Sequence, residues 1–515
     1  MAEMTHAAAV STSKSLIANS RWNIVAFLCV VVSNIVTVPY VVLSIGMTAF
    51  GRAGLVIAIC APMMIIGTVL GQGLVSRKSA RLGEGNIEGA AWVTDAALRL
   101  CMLASFASWL VLVIAGPWLA SALETSVSAP QNLQLAFLIC ASAMFARQHV
   151  LIAQSVCLAR QNFPVLTMVA AFSAAADIAS TLLITSAFPT VDGYLASMAT
   201  GTAIAMCLWL WVLRRETRWR AIVGADRHSE VEELLKFGKW QGVSQLSGTF
   251  ANQIDRYLLG AMGPVAIVGQ YNVASRLAEA AFMGAMKGSE VLFPHFGRLS
   301  SRSPQERGRH FLSGSWIVGT FAAMLFAPLL PLAEPLLKLW VGAGFTEESA
   351  IILRTLVLCG LIGISSNVFF QYAMGIGRNE PVAWILVLYS VLAVIFSVVL
   401  LRTFGPMAAG GGALAAGLVR LGAVLFTIRR KYLEHLAPGA LIATIVLPVA
   451  TGAILGLGAH RTWAGDVDGW PQLVMFYAFF AVGVFAAIVT VSALTRTGRE
   501  IVLRTFTVLR PRLGS

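Results

Sequence analysis

Charge is scarce in this chain. Asp, Glu, Lys and Arg make up only 12% of its 515 residues, against 57% hydrophobic ones. A soluble domain carries roughly 25% charged residues, so a solvated globular surface is excluded. The seven histidines are scattered, which leaves no cluster at metal-ligand or catalytic spacing. The seven cysteines (Cys29, Cys60, Cys101, Cys140, Cys157, Cys207 and Cys359) all lie in apolar runs, with no CxxC pair. They read as small buried hydrophobes, not as disulfides or zinc ligands. No P-loop and no Gly-rich dinucleotide turn occurs. The segments opposite the basic loops are short. A membrane-bound sugar polymerase or acyltransferase would need a large outer loop or clustered acids or His, so the chain reads as no enzyme.

Apolar runs of 18 or more residues recur along the whole length, each able to cross a hydrocarbon core of about 30 Å as a helix. They predict an all-α polytopic membrane protein of about fourteen spans. These lie near 23–45, 53–76, 90–116, 133–158, 164–188, 193–213, 240–262, 265–293, 310–333, 350–374, 381–401, 407–428, 438–460 and 471–494. The span at 240–262 is the least apolar, and 265–293 is marginal. Lys14 and Arg21 precede the first run, which is too long for a signal h-region and reads as a retained span.

Positive charge sets the expected orientation. Arg77, Lys78, Arg81, Arg160, Arg214, Arg215, Arg298, Arg378, Arg429, Arg430, Lys431 and Arg496 fall at one set of ends, with both termini. The opposite loops hold only Arg52, Lys338, Arg402 and Arg461. Both termini are therefore expected in the cytoplasm. The net charge of +13 then faces anionic head groups rather than nucleic acid.

The sequence also repeats itself weakly. ARQNFPV, with Asn162, Pro164 and Val165, and GRNEPV, with Asn379, Pro381 and Val382, stand 217 positions apart. The same offset carries Arg81-Leu82 onto Arg298-Leu299, Gly193 onto Gly410 and Arg214 onto Lys431. A shared offset that preserves sidedness points to duplication. It predicts a tail at 1–20, a six-helix bundle at 21–213, a linker at 214–239 and a second bundle at 240–430. Two further spans at 431–494 and a basic tail at 495–515 would follow. Halves of six spans share one orientation and would be related by a pseudo-twofold axis along the membrane normal, with a site near mid-membrane.

Ionisable residues inside membrane helices are costly and mark function. At 100° per residue, Asn272, Arg276, Glu279, Lys287 and Glu290 share one face about 80° wide. Gln241, Gln245, Gly248, Asn252 and Asp255 form a second stripe, with Arg256 adjacent. Lipid does not solvate such faces, so they are expected to line a hydrated cavity. An interfacial Asp255–Arg256 pair, and snorkelling of Lys287 and Glu290, are the plainer alternatives. Arg147, with Gln154 on its face, and Arg354 are lesser cationic candidates. Asp95 and Arg99 have the spacing of a local ion pair, and Arg420 has no evident partner. Asp177, the single acid of its span's interior, suits a proton or Na⁺ site or a packing role among small neighbours. The embedded cations outnumber the acids, which suits an anion such as phosphate or pyrophosphate.

The run NQIDRYLLGAMGPVAIVGQYNVASRL (252–277) resembles the polysaccharide-transport family, the Wzx-type flippases of the superfamily that includes the MATE exporters (MOP). The residues that carry the likeness are Asp255, Arg256, Leu258, Gly260, Gly269, Tyr271 and Arg276. LGQGLVSRKSARLGEGN (70–86), PLLKLWVG (335–342) and AMGIGRNEP (373–381) are similar more diffusely. The resemblance implies a flippase of undecaprenyl-diphosphate-linked oligosaccharides in the bacterial inner membrane, serving exopolysaccharide, capsule or O-antigen synthesis. Two bundles would rock about a cationic cavity, with no cofactor beyond coupling to H⁺ or Na⁺. Polymerase and chain-length machinery are the implied partners. Arg147, Asn252, Asp255, Arg256, Asn272, Arg276, Lys287 and Arg354 would meet the head group or pyrophosphate; Asp177 or Glu279 would couple the ion. The alternatives are a multidrug or cation antiporter, which the cationic surplus opposes, and a lipid II flippase, which the Arg-free first span opposes.

Overall fold

Wherever the chain is too apolar to leave backbone polar groups to water, it closes them into helices. The computed structural model describes residues 2–124, 133–160, 162–214, 225–262, 265–290 and, with short gaps, 292–509. Among the described residues there is no strand. The helices are α1 (Ala2–Cys60), α2 (Met64–Gly83), α3 (Ile87–Glu124), α4 (Gln134–Ala159), α5 (Phe163–Ala187), α6 (Val191–Leu213), α7 (Ala225–Met262) and α8 (Val265–Glu290). They continue with α9 (Pro304–Phe326), α10 (Leu329–Val341), α11 (Glu347–Gly375), α12 (Glu380–Phe404), α13 (Gly411–Thr427), α14 (Leu447–Thr462), α15 (Trp470–Ala493) and α16 (Arg496–Leu509).

The ends follow local chemistry. Thr190, Ser303 and Thr346 accept hydrogen bonds from the amides of Gly193, Glu306 and Ser349 and so cap α6, α9 and α11. Gly46 breaks α1 at φ 81°, a conformation that side chains disfavour.

Among the described residues, length and apolarity give ten helices able to span a membrane, or eleven if α9 and α10, bent by 41°, count as one span. The expected fourteen are not reached on that measure, for physical reasons. The first two spans run together from Val25 to Leu82 across the Gly46 break. α7 and α8 are too polar to pass, as their low apolarity foretold.

The chain forms two compact units, Met1–Gly269 and Gln270–Ser515. The junction falls inside α8, because α7 packs on α1, α2 and α3; residues 215–224 of the expected linker lie outside the described residues. In the first unit, one core joins Leu70 and Leu74 of α2, Val93 and Cys101 of α3, Ile152 and Val156 of α4, Leu166 of α5 and Trp209 of α6. In the second, α14 and α15 pack on α9. The Trp316 Nε1 donates to Ser492 Oγ at 2.9 Å, and the Tyr477 hydroxyl donates to the Leu325 carbonyl at 2.6 Å. Corresponding helix pairings occur in the two units. α3 with α4, α4 with α6 and α5 with α6 recur as α9 with α11, α11 with α13 and α12 with α13.

Candidate functional site

The motif at 252–277 owes its glycines to close packing on α1. A Cβ on Gly260 would come within 2.9 Å of the Leu55 side chain; one on Gly269 would run into the Met47 carbonyl, and one on Gly51 into that of Val265. The first turn of α8 therefore lies backbone to backbone against α1. The Tyr257 hydroxyl adds a bond to the Ala58 carbonyl at 2.6 Å.

This packing buries the charged pair beside it. Asp255 is 2% exposed and Arg256 8%, so neither is a surface group in this unit. The Arg256 Nη1 donates to Gln253 Oε1 at 2.7 Å and to the Asn252 carbonyl at 3.3 Å. Much of the guanidinium is thus satisfied by its own helix, while the Asn252 side chain is exposed.

α5 and α6 hold the other first-unit candidate. Asp177 is half-buried, and Gly201 of α6 lies so close that a Cβ there would strike its carboxylate Oδ1. The charge of Arg147, exposed on α4, acts on the same carboxylate. An acid and a base that the sequence left on separate helices thus come within electrostatic reach. Next to Arg147, Gln148 is wholly buried against Gly67 of α2, and its amide oxygen and nitrogen have no partner among the described residues. His149 turns Nδ1 to the Phe145 carbonyl at 2.9 Å, and its Nε2 is buried with no partner among the described residues. Sequence reasoning passed over Gln148. Three consecutive polar residues in an apolar helix cannot all face one way, and that was the available signal. Asp95 and Arg99 are both half-buried on α3.

Lys78 was counted among the head-group cations, and the structure corrects this. It is 1% exposed, and its Nζ donates to Thr94 Oγ1 at 2.7 Å. Four successive polar positions at the end of α2 concealed a residue that faces α3.

In the second unit Asn272 is buried, Arg276 half-buried and Glu279 exposed. Lys287 and Glu290 fall on α8, with side chains outside the described residues. Asn379 of the repeat is also outside them. Arg354 Nε donates to the Leu330 carbonyl at 3.2 Å, and its Nη2 stands 4.0 Å from Glu334, which pairs with Lys338 at 2.8 Å. It ties α11 to α10. Arg420 does have a partner: its guanidinium lies over the Tyr389 ring, 4.3 Å from the centroid. It also lies against Gly363, whose Cβ would stand 3.2 Å from Nη2 and from the Phe282 ring. The second unit thus holds Arg354 and Arg420 in apolar helices by a carbonyl and an aromatic face, and the first holds Arg256 in the more polar α7 through its own helix. Among the described residues no group of His, Cys, Asp and Glu could hold a metal ion.

Sequence comparison places the protein in a family. The chain belongs to the polysaccharide biosynthesis protein family, whose model matches residues 16–300. No curated protein matches it. Among solved structures, the lipid II flippase MurJ in an inward closed conformation is similar at 14% identity and a TM-score of 0.69. That likeness covers 93% of this chain and 99% of that one. The MATE multidrug transporter DinF-BH is similar at 18% identity and a TM-score of 0.62, over 82% and 97%. A MOP superfamily transporter from Pyrococcus furiosus is similar at 15% identity and a TM-score of 0.57, over 81% and 95%. The fold is that of these solved transporters, and the apolar helices make the chain a multi-pass membrane protein.

Proposed function

We propose that the protein flips undecaprenyl-diphosphate-linked oligosaccharides to the periplasmic leaflet of the bacterial inner membrane, for surface polysaccharide synthesis. The reading rests on one observation above the rest: Arg99 and Arg147 in the first unit and Arg354 and Arg420 in the second are retained within helices apolar enough to span a membrane. Holding a charge at membrane depth costs about 2.5–3.5 kcal/mol on insertion scales. A diphosphate that visits these helices gives the cations a use, because guanidinium pairs with phosphate bidentately. Membership of the polysaccharide biosynthesis family supplies the saccharide.

In this account the protein works by alternating access. Arg147, Arg256, Arg276 and Arg354 meet the diphosphate or acidic sugars, with Asn252, Asp255 and Asn272 beside them. Lys287 guides the head group in from the cytoplasm, where both termini lie. Asp177, which lies against Gly201, or Glu279 takes the coupling H⁺ or Na⁺. Polymerase and chain-length proteins receive the product.

A deletion strain tests this. Lipid-linked oligosaccharide should accumulate on the cytoplasmic leaflet, and surface polysaccharide should disappear. Accumulation of lipid II instead, or sensitivity to cationic drugs with normal polysaccharide, would transfer the protein to one of the alternative cargoes.

A further inference from the structure

The first unit has an open groove at its basic end. It has a volume of about 320 Å³ and is lined by the end of α4 (Val156, Cys157, Arg160), the start of α5 (Asn162, Val165, Met168) and the end of α6 (Trp211, Arg214, with Val212 and Leu213). All three helices are apolar enough to span a membrane, and Arg160, Asn162 and Arg214 stand just past their ends. The groove therefore runs from hydrocarbon depth to the head-group level. Its deep wall is aliphatic and its mouth carries two exposed arginines. The Arg214 guanidinium lies 4.9 Å from the centre of the Trp211 ring, which combines a cation with the aromatic residue favoured at membrane interfaces. Asn162, the N-cap of α5, makes no capping bond with its side chain.

The repeat supplies a control within the same chain. Met168 and Trp211 are 51% and 58% exposed. At the positions 217 residues later, Ile385 and Ile428 are 6% and 0% exposed. There, Tyr432 donates to the Arg378 carbonyl at 2.8 Å and packs edge-on against Phe369. The second unit has closed a place that the first leaves open, with apolar walls and cations at its rim.

We propose that this groove seats one anionic phospholipid. Its phosphate rests on Arg160 and Arg214, and an acyl chain lies along Val165, Met168 and Val212. Basic pockets between membrane helices suit such head groups, each cation adding to the attraction. A bulky saccharide is a poor fit. Among the described residues, the groove offers beyond the two arginines only the Asn162 amide and the Trp211 indole N–H, whereas sugar hydroxyls need many partners. The site stands apart from the residues assigned to transport, and the inference does not depend on the cargo.

Trp211 provides the readout. The full chain is reconstituted in phosphatidylcholine bilayers containing increasing brominated phosphatidylglycerol or, in parallel, brominated phosphatidylcholine. The quenched emission that vanishes in Trp211→Phe is the signal of this groove among the 13 tryptophans. Half-quenching should need about tenfold less phosphatidylglycerol than phosphatidylcholine. Arg160→Gln/Arg214→Gln should bring the two midpoints together, Arg160→Lys/Arg214→Lys should keep most of the difference, and Arg429→Gln should change nothing. Equal midpoints in the wild-type chain overturn the proposal, and that comparison needs no variant but Trp211→Phe. So does a preference that survives in the Gln double variant, or displacement of the quencher by inorganic phosphate alone or by a lipid-linked oligosaccharide at trace level.

Discussion

The Arg420 guanidinium stands over the face of Tyr389, 4.3 Å from the ring centre. This contact joins α13 to α12 and gives a membrane-embedded cation a partner that carries no charge. Cation–π pairs contribute about 0.5–2 kcal/mol, towards the upper end when desolvated. Tyr389→Phe keeps the ring face and should leave melting of the purified protein nearly unchanged. Tyr389→Leu should lower the melting temperature measurably, and Arg420→Met should lower it no further when the two are combined. Additive losses in that double variant would show that the pair is not coupled.

Glycine substitutions should separate along the lines the packing draws. Gly269→Ala and Gly51→Ala drive a methyl group into the backbone of the facing segment. Overpacking of that kind costs about 1–3 kcal/mol, and the folded yield by size-exclusion chromatography should fall. Gly242→Ala and Gly248→Ala on α7 meet open space, so they should be neutral or more stable by up to about 1 kcal/mol.

The buried ammonium of Lys78 makes a third case. Thr94→Val removes the hydroxyl that accepts from Nζ and should cost about 1–3 kcal/mol. Thr94→Ser should restore most of it. The comparison is read by thermal unfolding in detergent, and equal stability of the Val and Ser variants would dismiss the bond as a contributor.

How much of this was legible beforehand depends on the kind of signal. Helix type was written in run length, but not helix number, since fourteen spans were expected and ten or eleven are found among the described residues; the offset of 217 has a counterpart in helix pairs that occur in both units. Polar character marked α7 and α8 as unusual before any coordinates. Partners were not legible. Nothing in the sequence puts Tyr389 beneath Arg420, or Gly201 against Asp177, because such pairs come from neighbouring helices whose rotation is set by packing. Lys78 failed for a related reason. Four polar neighbours at a helix end read as solvated, yet one of the four faces α3. Gln148 was missed because a neutral amide costs less to bury than a charge and so attracts less notice.

Asp177 allows coupling to be distinguished from packing. Asp177→Asn keeps the shape beside Gly201 and should fold normally while transport loses its dependence on the ion gradient. Gly201→Ala should instead lose folded protein, because its methyl strikes the carboxylate. Retention of gradient dependence in Asp177→Asn would move the coupling role to Glu279.

The central claim is that embedded cations carry an anionic lipid-linked saccharide across the bilayer. Its most direct test is translocation of a labelled undecaprenyl-diphosphate-linked oligosaccharide in proteoliposomes, comparing the wild-type protein with Arg276→Gln. Loss of one charge-assisted contact is worth roughly 1.5–3 kcal/mol, so the variant should melt like the wild type and flip at least about tenfold more slowly. Equal rates in the two proteins would contradict the account, as would a wild-type protein that leaves the labelled lipid in its original leaflet.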